Sequence, residues 1–104
     1  IILHCVSNYP AKLESLNLSA IDTLRRETKL DIGWSDHTAK SLVVYRAIQK
    51  WKASYVEMHI DLDEKGVEYG AGHCWLPEEV KLLVKLINDG FRADGEKNQS
   101  FSKH

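Results

Sequence analysis

The feature that most limits what this chain can fold into is an alternation. Three short apolar runs take turns with three stretches of helical periodicity, and polar, chemically capable residues gather at the ends of the runs. Ile1-Ile2-Leu3-His4-Cys5-Val6 reads as a buried strand, because a strand covered on both faces carries a near-continuous apolar run. Asn8-Tyr9-Pro10 breaks it as a loop. Leu18, Ile21 and Leu24 predict a helix with a basic end at Arg25 and Arg26. Leu30 to Trp34 reads as a second strand, running into Ser35-Asp36-His37-Thr38. Val44, Ala47, Ile48 and Trp51 share one face of a second helix. Tyr55 to Leu62 is the third strand, carrying Glu57 and His59. A glycine-rich loop follows from Asp63 to Trp75. Pro77-Glu78-Glu79 then opens a third helix, with proline at the first position and acids near the positive end. Val80, Leu83, Val84 and Ile87 line one of its faces, and Gly90 reads as its C-terminal stop.

Strand–helix alternation of this kind favours a parallel sheet with right-handed crossovers. The expected class is α/β, with three consecutive βα units and parallel strands. In such a sheet, ligands bind at the edge where the strands end. The chain has 104 residues, whereas a complete (β/α)8 barrel takes roughly 250. The alternatives are a small open sheet, an assembly of several copies, or a piece of a barrel. Residues 1–91 form the expected folded unit, and 92–104 a polar tail expected to fray.

Composition narrows the partners. The 15 acids nearly cancel the 14 Lys and Arg, for a net charge of -1, so there is no electrostatic case for nucleic acid or an anionic membrane surface. No apolar run is long enough to span a bilayer, and no signal peptide opens the chain. Cys5 and Cys74 form no CxxC pair and are too few for a disulfide framework, so a reduced, cytoplasmic setting is expected. The chain begins at Ile1 inside a strand, as a processed, designed or fragmentary chain would.

The strand ends hold the candidate chemistry. His37 follows the second strand and His59 lies on the third. Neighbouring parallel strands are about 4.8 Å apart, so two imidazoles at similar depth can share one divalent metal. Isolated histidines at strand ends are more often merely hydrogen-bonded. Glu57 has the parity of His59, so both point to one face. Ser35, Asp36 and Thr38 suit contact with an anionic group such as phosphate. They suit equally a turn in which Thr38 or Ser41 caps the next helix. Ser7, Asn8 and Tyr9 offer a hydroxyl, an amide and a phenol to a carboxylate or phosphate, or form an ordinary loop. A zinc site from Cys5, His37, His59 and Cys74 is imaginable, although its spacing matches no compact zinc motif. Trp34, Trp51 and Trp75 read as core or interface.

Leu-His-Cys-Val-Ser-Asn-Tyr-Pro (3–10), Gly-Trp-Ser-Asp-His-Thr (33–38) and Val-Glu-Met-His-Ile (56–60), in this order and spacing, resemble the N-acetylneuraminate (sialic acid) synthase family. Legionaminate and pseudaminate synthases and spore-coat polysaccharide homologues belong to the same group. The resemblance runs from residue 1 to about residue 91. It implies the last three strand–helix units of a TIM (β/α)8 barrel, a partial barrel that oligomerisation is one way of completing. It also implies a cytoplasmic transferase of carbohydrate biosynthesis that condenses phosphoenolpyruvate with an N-acetylated amino sugar to a nonulosonic acid and phosphate. By carry-over, His37 and His59 are catalytic and bind the metal, manganese or magnesium. Ser7, Tyr9 and Ser35 lie near phosphoenolpyruvate, and Glu57 is catalytic and touches the sugar. Many members place a sugar-contacting aspartate after the last strand. That position falls on Gly70 here, with Glu68 or His73 as substitutes. The strands with the family's phosphate-binding lysines and its small antifreeze-like domain are absent. The isolated chain is therefore expected to be inactive, and a homo-oligomer. The other expectation is a non-catalytic barrel module for self-association or partner binding.

Overall fold

A computed structural model of the chain describes residues 2–6 and 11–95. Four strands form one parallel sheet in the order β1 (Ile2–Cys5), β2 (Ile32–Asp36), β3 (Val56–Ile60), β4 (Cys74–Trp75). The helices α1 (Ala20–Thr28), α2 (Ser41–Gln49), α3 (Val67–Gly70) and α4 (Pro77–Asp94) fall between and after them. Each successive strand is thus reached through a crossover, as parallel pairing demands.

Register sorts the side chains into two sets. Cys5 pairs with Ser35 and Ser35 with Glu57, while His59 pairs with Cys74. Paired residues in a parallel sheet point to the same side. One side therefore carries Leu3, Cys5, Gly33, Ser35, Glu57, His59 and Cys74. The other carries Ile32, Trp34, Asp36, Val56, Met58 and Trp75, and it meets the helices. At Gly33 a Cβ would stand 2.5 Å from Leu3 Cδ2 and 2.9 Å from the Tyr55 carbonyl oxygen, so only glycine fits that layer.

The helix-covered side holds two apolar clusters. Ile21 of α1 packs with Ile32, Trp34, Val43 and Ala47. Val44 of α2 and Leu83 and Ile87 of α4 enclose Trp75. Val56 packs against both clusters. Most of the stripes expected for these helices thus seal the core, but Val84, expected on the buried face of the last helix, is 50% exposed. Trp34 and Trp75 are fully buried and Trp51 is half-buried against the first cluster.

Four expectations are corrected. The described residues form four strands, not three, because Cys74 and Trp75 leave the expected loop to pair with His59 and Ile60, and the Asp61 amide donates to the Trp75 carbonyl at 2.9 Å. The second strand lies two residues later than Leu30–Trp34 and takes in Ser35 and Asp36. Neither Thr38 nor Ser41 caps α2 in the usual way: the N-cap is Lys40, whose amide donates to Thr38 Oγ1 at 3.1 Å. Gly90 does not stop α4, which continues to Asp94 and ends at Gly95 with φ 71°. A Cβ at Gly90 would come within 2.8 Å of Gln49 Nε2 and 2.9 Å of Tyr45 Oη. The glycine serves close packing of α4 on α2 rather than helix termination.

Candidate functional site

The site grows from the ends of the strands. His37 follows β2 directly and is buried. Its Nδ1–H donates to the Val6 carbonyl at 2.9 Å, which places the lone pair of the neutral ring on Nε2. Cys5 Sγ lies 3.6 Å from the same Nδ1. The His37 carbonyl accepts the Ala11 amide at 3.0 Å, so the segment after β1 and the turn after β2 hold one another.

The turn itself is built around Asp36. This carboxylate is fully buried on the helix side of the sheet. Oδ1 accepts Trp34 Nε1–H at 3.1 Å and Thr38 Oγ1–H at 2.8 Å. Oδ2 accepts Trp75 Nε1–H at 3.0 Å and the amides of Thr38 and Ala39 at 3.2 and 3.0 Å. A buried carboxylate needs such donors, since desolvation is otherwise costly. Ala39 is held in the left-handed region at φ 52°, a conformation rare outside glycine. Asp36, which the sequence suggested for anion contact, instead fixes the turn that presents His37. Thr38 shares that work.

On the open side, Ser35 Oγ–H donates to Glu57 Oε1 at 2.7 Å. This holds a carboxylate that is itself exposed. His59 stands two residues further along β3, on the same face as Glu57. The His37 and His59 ring centres are 5.0 Å apart, edge to face. Two imidazoles that bind one ion at about 2.0–2.1 Å each can have ring centres at this separation. The spacing would let the two ring nitrogens share one divalent ion, the kind of group that the resemblance implies.

Among the described residues, no three His, Cys, Asp or Glu side chains are placed to hold an ion by themselves. The four-ligand zinc arrangement of Cys5, His37, His59 and Cys74 does not form. Cys5 sits against the His37 nitrogen that already serves the Val6 carbonyl.

His73 was named from the sequence only as a substitute for a missing aspartate. The structure brings it into the cluster. It is buried, and its ring centre is 5.2 Å from that of His59 and 6.3 Å from that of His37. At Gly70, the expected aspartate position, an added Cβ would meet nothing within 4 Å. Glu68 lies in α3. Ser7 and Tyr9 lie outside the described residues. The loop before α3 is organised by Asp61, whose carboxylate accepts the amides of Asp63, Glu64 and Gly66 at 3.0, 2.7 and 3.1 Å. The Asp63 amide leads these contacts in holding the Asp61 carboxyl below its usual range.

Known proteins are similar to this chain in sequence and fold. The N,N'-diacetyllegionaminic acid synthase of Legionella pneumophila is 39% identical over 104 residues, which cover 96% of this chain and 28% of that protein. The N-acetylneuraminate-9-phosphate synthase of Drosophila melanogaster is 34% identical over 91 residues, covering 85% of this chain and 24% of that one. A crystal structure of the N-acetylneuraminic acid synthetase of Leptospira borgpetersenii in complex with citrate superposes with a TM-score of 0.80 at 30% identity, over 94% of this chain and 34% of that one. The chain thus spans between a quarter and a third of the length of such relatives. The profile of the NeuB family matches residues 1–99, and with the two-histidine strand edge in place the conclusion is that this chain belongs to the NeuB family.

Proposed function

We propose that this chain is one wall of a nonulosonic-acid synthase, a piece of a TIM (β/α)8 barrel made of the four parallel strands β1 to β4 and the helices that follow them, one strand more than the three units expected. The whole barrel joins C3 of phosphoenolpyruvate to the aldehyde carbon of an N-acetylated amino sugar. With water, the products are a nonulosonic acid and phosphate. The observation that carries this reading is the His37–His59 pair, 5.0 Å apart at the ends of neighbouring parallel strands, with Glu57 on the same face.

In this reading His37 and His59 hold manganese or magnesium, which supplies Lewis-acid polarisation of a carbonyl oxygen when bound. Donation from Nδ1 to the Val6 carbonyl keeps His37 in the tautomer that offers Nε2. Ser35 fixes one oxygen of Glu57, so the carboxylate is oriented to accept a hydrogen bond from the amino sugar. Ser7 and Tyr9 follow β1 in the chain and orient phosphoenolpyruvate, which lies near Ser35, whose one hydroxyl proton is given to Glu57. Cys5 and Cys74 form no disulfide, which suits a reducing cytoplasm.

Among the described residues β1 pairs with β2 alone, and a lone wall of a barrel lacks its remaining strands. The isolated chain is therefore inactive and associates with copies of itself. The test is calorimetric titration of manganese into the metal-stripped chain, beside His37→Ala and His59→Ala. Saturable binding in the wild type that is lost in both variants is the expected result. No binding to a folded wild type, or equal binding to the variants, overturns the metal assignment. Turnover of phosphoenolpyruvate by the purified chain overturns the assignment of inactivity.

A further inference from the structure

We infer that His73 is a positioning residue for His59, fixing its imidazole by edge-to-face ring packing beside His37. The His59 ring is only half-buried, and it packs against two buried imidazoles whose own centres are 6.3 Å apart, so the three rings form a triangle. One is His37, at 5.0 Å; the other is His73, at 5.2 Å. The interplanar angles are 62° and 73°, the tilted geometry that ring quadrupoles favour at such separations.

The two buried rings are anchored independently. His37 is tied to β1 through the Val6 carbonyl. His73 directly precedes β4, whose Cys74 pairs with His59 itself and whose Trp75 is locked to Asp36. Gly72, at φ 91°, gives the chain the turn that delivers His73 at this point. Four strand ends therefore converge on the orientation of one side chain. His73 acts through His59 and belongs to the chain's own framework, whatever the ring of His59 goes on to bind. The link to metal affinity rests on the reading proposed above; the link to ring order does not.

The experiment separates the two. Carbon–proton correlation spectra of histidine ring positions are recorded on the apo chain for wild type, His73→Ala and His73→Phe, with circular dichroism as the folding control. Manganese titration follows on the same samples. His73→Ala is expected to broaden or split the His59 ring signals. His73→Phe, which keeps a ring without nitrogens, restores a single ordered set. Manganese affinity is expected to fall by about 10-fold in His73→Ala, the scale of outer-shell effects, and to recover in His73→Phe. Unchanged His59 signals in a folded His73→Ala overturn the inference. So does a folded His73→Phe whose His59 signals are as disordered as in the alanine variant. Ring signals that respond as expected, in a wild type that binds no manganese, uphold the inference and overturn the metal assignment instead.

Discussion

At the scale of single residues, Asp36 carries the largest share of the local order. Its carboxylate accepts five donors from β2, β4 and the intervening turn. Removing a buried charge from its hydrogen-bond partners costs about 3–5 kcal/mol, so Asp36→Ala should lower the urea midpoint sharply or abolish cooperative unfolding. Trp75→Phe keeps the ring in its cluster and removes one indole donor. It should cost about 1.5–3 kcal/mol, the range for hydrogen bonds to a charged group. Asp61 offers a contrast at the surface. Its carboxyl is held low by backbone amides, that of Asp63 first. A depressed folded pKa means that the contribution is present above the unfolded carboxylate range and is lost as pH falls through the folded value. The amide resonances of Asp63, Glu64 and Gly66 should therefore move together at a pH below the usual aspartate range. The nearness of His37 and His59 was legible in the sequence because strand spacing constrains it. The turn around Asp36 was one of the two readings open in the sequence, but its donors were not legible, because the two indoles lie 2 and 39 residues away and only folding brings the second one near.

At the scale of elements, the βα alternation was readable because each segment's apolar period matches the face it buries. The departures came where tertiary contacts outweigh local preference. A two-residue strand carries no periodicity, and β4 exists because β3 offers it backbone partners. Gly90 looked like a stop, yet glycine inside a helix costs only about 1 kcal/mol relative to alanine, and the approach of α2 outweighs that. Gly90→Ala should change stability little. The gain in helix propensity offsets the displacement of the Gln49 and Tyr45 side-chain tips, which can move. Gly90→Leu should overpack the α2–α4 contact and cost about 1–3 kcal/mol; thermal unfolding of both variants checks the pair. The start of α4 is secured by Glu79, whose Oε1 accepts the Leu76 amide at 2.8 Å. Gly70 faces open space, so Gly70→Asp should fold with a stability change of about 0.5 kcal/mol or less. That variant carries the aspartate that the resemblance leads one to expect at this position.

At the scale of the whole molecule, the described part of the chain divides its two faces between separate tasks. The helix-covered face stores the packing, and the open face displays Ser35, Glu57 and His59. Large apolar side chains remain exposed beyond the core, among them Leu62 at 83% and Val67 at 93%, and β1 offers an unpaired edge among the described residues. Unpaired edges and apolar surface favour association, so sedimentation velocity should show the mass rising with concentration. A single species of monomer mass across the range would contradict this. The division of faces also bears on how the chain finds its pairing. Sliding β2 by one residue against its neighbours would send Asp36 and Trp34 to the open face, away from the Trp75 indole, and drive Ser35 among the helices. The misaligned sheet would strand the Trp75 indole N–H in an apolar interior. Asp36 thus works as a proofreading mark for strand alignment, so that the histidines reach one edge only in a sheet that has already been paired correctly.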